Sequence, residues 1–192
     1  FYSRILRSLN KEETTQIPTA GVTCIDGDIT LYWNRKFMSG LNKSQVNGLL
    51  KHECLHLVFG HTTERRKDPH IIWNYATDLA INSTIPEHEL PEGGLIPGKK
   101  LNLDSNQKSN MTDEELKNFE KLSDLIANLP KNKTSEYYFN KLISDEDAKK
   151  YLEQMSEGGS LTVGFDDHDG WDKMSEAEKE LLQGKIKEIV KE

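Results

Sequence analysis

Lys51-His52-Glu53-Cys54-Leu55-His56 sets His-Glu-x-x-His inside an apolar stretch compatible with a helix. At about 3.6 residues per turn, His52 and His56 lie one turn apart and project from the same face. Two imidazoles placed like that can hold one divalent metal ion, usually zinc. Glu53 then stands beside them, where it can take a proton from a water. The flanking residues fit a helix. Asn42 or Ser44 can cap one that runs to about Phe59, and Gly60 is placed to end it. Val46, Leu49, Leu50, Leu55, Val58 and Phe59 are its core-facing positions.

A hydrolytic zinc site takes three protein ligands and keeps one position open. His61 and Asp78 compete for the third place. A helix continued as far as His61 would carry it about 140° round the axis from His56. Only a sharp turn at Gly60 could bring it back. The spacing also departs from the His-Glu-x-x-His-x-x-Gly-x-x-His of the metzincins, where the chain turns earlier and the last His comes later. A supporting or helix-capping contact is the other expectation for His61. Asp78 falls on a second expected helix, about Pro69–Ser83, whose packing face is Ile72, Trp73, Ala76, Leu79 and Ala80. Asn74, Asp78 and Asn82 recur every four residues on another face. Asp78 could ligate the metal or hydrogen-bond a ligand histidine. Glu64 is better explained as a solvated charge. His61, Asn74, Tyr75 and His168 are candidates for a supporting contact or an alternative ligand.

Upstream, Ile5, Leu6 and Leu9 form a stripe that predicts a helix over residues 1–16. Val22-Thr23-Cys24-Ile25 and Ile29-Thr30-Leu31-Tyr32-Trp33 flank Asp26-Gly27-Asp28, a hairpin signal. The hairpin either covers the core or offers one strand as an edge that an extended peptide can join. Downstream, prolines and glycines mark a long loop over about residues 85–110, functional or mobile at that length. Thr112 with Glu115 opens a helix to about Leu129, and 135–143 and 144–155 read as two more. Glu157-Gly158-Gly159-Ser160 is a break, and Ser175 with Glu178 caps a last helix. Between them, Asp166-Asp167-His168-Asp169 reads as a polar turn, as a plug entering the metal site, or as a separate metal site.

At 192 residues the chain suits one domain, 1–192, with a core over about 15–100 and a helical extension over about 111–192. Charged residues make up 30% and the net charge is −7, which argues against a nucleic-acid partner. Arg65-Arg66-Lys67 is the densest basic cluster and reads as solvated. Two cysteines, Cys24 and Cys54, are too few for a disulfide framework and favour reduced thiols and the cytoplasm. No run reaches membrane-spanning length. The chain starts at Phe1 and stops within a helical pattern, which fits an excerpt of a longer protein.

Four segments taken in order carry a resemblance. They are Gly21–Phe37, the helix with His52–His61, Trp73-Asn74-Tyr75-Ala76-Thr77-Asp78-Leu79-Ala80-Ile81-Asn82, and Leu90-Pro91-Glu92-Gly93-Gly94-Leu95. Together they resemble the putative metallopeptidase domain of the predicted metal-dependent peptidases, which often carry a von Willebrand A-like domain. The likeness is good over about 15–100 and loose elsewhere. It implies an α+β, zincin-like fold, mostly helical, with a small β-hairpin or sheet beside the His-Glu-x-x-His helix. It also implies one zinc ion on His52 and His56, Glu53 as general base, and Asp78 at the family's acidic position. The expected activity is zinc-dependent hydrolysis of peptide bonds in a protein or peptide substrate. Tyr75, His61, His70 and His168 have the chemistry to steady an oxyanion. Two rivals stand beside this: a catalytically silent metal-binding or regulatory module with the same fold, and a chance motif in an ordinary helical domain. An intact Glu53 argues against the silent module, since a merely structural site needs no base.

Overall fold

The computed structural model describes residues 1–25, 28–61, 63, 65–103, 105–158 and 175–191. The fold is α+β and mostly helical, with one three-stranded mixed sheet. The chain divides into two compact units. One comprises 1–66, 87–91 and 165–192; the other comprises 67–86 and 92–164.

The first unit opens with α1, Tyr2–Ser8. The helix expected to reach residue 16 stops here, and Asn10–Glu13 forms strand β1 instead. Leu9 is the last apolar residue of the stripe, so a longer helix would have buried nothing. Pairing takes over: β1 runs parallel to β3 (Asp28–Trp33), with Asn10 opposite Thr30. All four β1 residues are exposed. Their Lys11, Glu12 and Glu13 blunt an open sheet edge with charge. The two strands of the expected hairpin pair, and Asp26 and Gly27 of its turn lie outside the described residues. β2 (Ala20–Ile25) pairs antiparallel with β3, Val22 opposite Leu31. The order β1-β3-β2 puts β3 in the centre and leaves β2 as the hairpin's edge strand. Asn34 caps a short α2, Arg35–Ser39.

α3, Lys43–Val58, is the long helix of this unit. Asn42 accepts from the Gln45 N–H at 3.0 Å, and the Gln45 side chain accepts from the Asn42 N–H at 3.0 Å. This reciprocal box satisfies donors that a helix start leaves open. Cys54 and Leu57 of α3 pack with Ile5, Val22, Ile29 and Leu31, which seats the helix among α1 and the sheet. Leu182 and Ile186 of the last helix, α9 (Glu176–Lys191), join the same cluster.

A short 3-10 turn, Glu87–Glu89, also belongs to this unit. A Cβ added at Gly48 would stand 1.9 Å from the Glu89 carbonyl oxygen. The turn therefore crosses α3 where only glycine leaves room. Lys51, on the next turn, forms an ion pair with Glu89.

The second unit is helical: α4 (His70–Asn82), α5 (Ser105–Ser109), α6 (Asp113–Ala127), α7 (Ser135–Ser144) and α8 (Glu146–Gly158). Thr112 and Glu115 form the expected box at α6. Trp73 is fully buried and meets Phe139 edge-on at 5.9 Å. Leu122, Ile126, Leu142 and Leu152 complete the centre of this core. The stretch expected as one long loop is tied down. Leu95, Leu101 and Leu103 are buried, and the Leu101 N–H donates to Ser123 Oγ at 2.9 Å. Its leucines supply the burial that its prolines and glycines hide in the sequence. Among the described residues no helix is long and apolar enough to cross a membrane.

Gly48→Ala is expected to lower the denaturation midpoint. The gain of about 1 kcal/mol in helix propensity is outweighed by a clash with backbone, which cannot rotate away. The expected net cost is about 1–3 kcal/mol, read from urea unfolding of the full chain.

Candidate metal centre

α3 places His52, Glu53 and His56 in the interior, with no solvent exposure at any of them. The two imidazoles face each other with Nε2 atoms 2.9 Å apart. A tetrahedral ion held at about 2.0–2.1 Å from each nitrogen needs about 3.3 Å between them, so the pair already converges as two ligands of one ion do. Asp78, 6% exposed, comes from α4. His52, His56 and Asp78 each offer one ligand atom, and these atoms all lie within 4.8 Å of one another. The three residues can hold a metal ion. Two imidazoles and a carboxylate match the donor sets of hydrolytic sites.

α3 ends in a way that decides where His61 goes. Gly60 adopts φ +66°, the left-handed conformation that glycine takes without strain. The His61 N–H donates to the His56 carbonyl at 3.1 Å and the Gly60 N–H to that of Leu57 at 3.2 Å. These two bonds close a Schellman turn and satisfy carbonyls at the helix end. The turn folds His61 back, but onto the far side of His56. Its Nδ1 is 3.4 Å from His56 Nδ1, the nitrogen opposite the one that faces His52. His61 is 1% exposed, and its ring lies edge-on to that of His56. A contact there fixes the ring's tautomer and orientation.

The chain belongs to the putative metallopeptidase domain family. The model of that family matches residues 5–181. No curated protein and no solved structure matches the chain.

The other sequence candidates fall as follows. Asn74 lies one turn before Asp78 on α4 and is half-buried, with its Oδ1 shielded from solvent. Tyr75 is buried in the core of the second unit. His70 is the first residue of α4. Asn82 donates to the Leu95 carbonyl at 3.0 Å and so holds the following loop. Glu64 and His168, with the rest of Asp166–Asp169, lie outside the described residues. Cys54 neighbours Glu53 but takes no part as a thiolate. Burial, and then the charge of Glu53, push its thiol up to about 12. Sequence reasoning passed over Gly48, Lys51 and Glu89, which brace α3 within the turn before His52. A lone glycine inside a helix was the available signal, since it is costly there without a packing reason.

His61→Ala is expected to keep one metal ion per chain and to weaken its binding about 10–100-fold. His52→Ala is expected to abolish stoichiometric binding. Competition with a chromogenic chelator measures both.

Proposed function

We propose that this domain is a zinc-dependent peptidase, with His52, His56 and Asp78 as metal ligands and Glu53 as general base. The observation that carries the reading is an intact, fully buried Glu53 next to two histidines whose Nε2 atoms converge at 2.9 Å. When bound, zinc would bring the pKa of a coordinated water to about 7 and polarise the carbonyl under attack. Glu53 takes the proton from the attacking water and returns it to the leaving amine. His61 holds the His56 ring from behind, through the nitrogen that does not face His52. Burial excludes bulk water and strengthens each of these charge interactions. It also means that a peptide reaches Glu53 only through a local opening. The substrate on this reading is a protein or peptide.

The silent metal-binding module remains the second reading. A structural zinc site is closed by four protein ligands. The group found among the described residues has three, which favours the hydrolytic reading.

Glu53→Gln is expected to retain its zinc and to lose about 10²–10⁴-fold in peptide cleavage. Metal analysis and a mixed-peptide cleavage assay on both proteins test this. Equal cleavage by both removes Glu53 from the mechanism. Zinc binding with no cleavage by the wild type supports the silent module.

A further inference from the structure

α4 carries a polar stripe, His70, Asn74, Asp78 and Asn82, at a constant spacing of four. Side chains so spaced neighbour one another along a helix face. Two members have evident employment. Asp78 belongs to the metal group, and Asn82 binds the Leu95 carbonyl. Asn74 stands between His70 and Asp78, and its Oδ1 is buried with no hydrogen-bond donor among the described residues.

A buried carbonyl oxygen without a donor destabilises a fold, and an apolar side chain of the same shape would remove that cost. Such an atom in a native interior calls for an explanation outside the resting structure. The donor must be one that arrives. Its place is one helical turn from a metal ligand, about 5–6 Å between Cβ atoms, so the visitor is whatever enters the site. A metal ion is a poor candidate, because a hard cation prefers the neighbouring carboxylate to a neutral amide. A peptide brings a main-chain N–H at almost every residue, whatever its side chains. An amide oxygen can accept that N–H with no charge to balance.

We propose that Asn74 is a substrate-binding residue, its Oδ1 accepting a main-chain N–H of the peptide beside the metal group. The assignment rests on the peptidase reading and adds to it how the substrate backbone is held. It makes recognition depend on the peptide's main chain at that position. The Asn74 Oδ1 is shut from solvent here, so a peptide reaches the amide only through a local opening.

The test uses the full, zinc-loaded chain as wild type, Asn74→Leu and Asn74→Ala, the second in case leucine does not fit. Zinc content, thermal midpoint, kcat and KM are measured on one cleaved peptide. The same is done on versions of it N-methylated at each main-chain nitrogen in turn. Both variants are expected to keep their zinc, and Asn74→Leu to hold or raise the midpoint. kcat/KM should fall about two- to tenfold. One N-methylation should weaken the wild type by a similar factor and leave the variants unaffected. Loss of zinc in both variants would instead make Asn74 a support for Asp78 and overturn the proposal. A lowered midpoint in both, with the wild-type N-methyl profile kept, would make the amide structural and overturn it too. Cleavage by the wild type with the same profile in all three proteins overturns this assignment alone. If zinc-loaded wild type cleaves no peptide, the peptidase reading falls, and this assignment with it.

Discussion

Two imidazole nitrogens 2.9 Å apart in a dry interior are the constraint around which α3 is built. Their lone pairs repel unless a proton or a cation lies between them. Taking such groups out of water is costly unless each ring nitrogen has something to bind. The helix end supplies part of the answer. The left-handed Gly60 and the two turn bonds after it bring His61 to His56 Nδ1. The helix start supplies rigidity through the Asn42–Gln45 box. Between them, Leu57 and Cys54 anchor α3 among the sheet and α1. A site held this way depends on ordinary packing for its geometry, because a ring that swings by a fraction of an ångström loses its partner.

The brace at Gly48 belongs to the same logic. A glycine inside α3 sacrifices about 1 kcal/mol of helix propensity relative to alanine. In return, the backbone of Glu89 comes closer than any side chain would allow, and the Lys51–Glu89 pair joins the contact. Lys51 is 31% exposed and Glu89 17%, so this pair is partly shielded. Its Coulomb attraction is screened less than that of the open Arg35–Glu13 pair, whose partners are 72% and 40% exposed.

What could be read from the sequence was what is locally encoded. The caps at Asn42 and Thr112, the stop at Gly60, the antiparallel pairing of β2 with β3 and the period of α4 are set by neighbouring residues. They agree with the mostly helical α+β fold that the resemblance implied. Asp78 entered as a candidate through its place on α4, and it falls within the metal group. What escaped was set at long range. Asn10–Glu13 has no strand pattern of its own and becomes β1 only because β3 offers it an edge. The 85–110 segment looked loose because its composition favours turns, while its leucines are held by partners far along the chain. For His61 the helical angle, a turn at Gly60 and the metzincin spacing were weighed, and a supporting contact was one expectation. The angle excludes a continued helix, but it does not show that the turn delivers the ring to His56 Nδ1.

The division of the chain into units has a consequence for its folding. The backbone passes from one unit to the other after residues 66, 86, 91 and 164. Neither unit is therefore a continuous piece of polypeptide. The five residues 87–91 return to the first unit alone, between two long stretches of the second. During synthesis the first unit cannot be completed until the ribosome has delivered all of the second, and no single proteolytic cut releases either one whole.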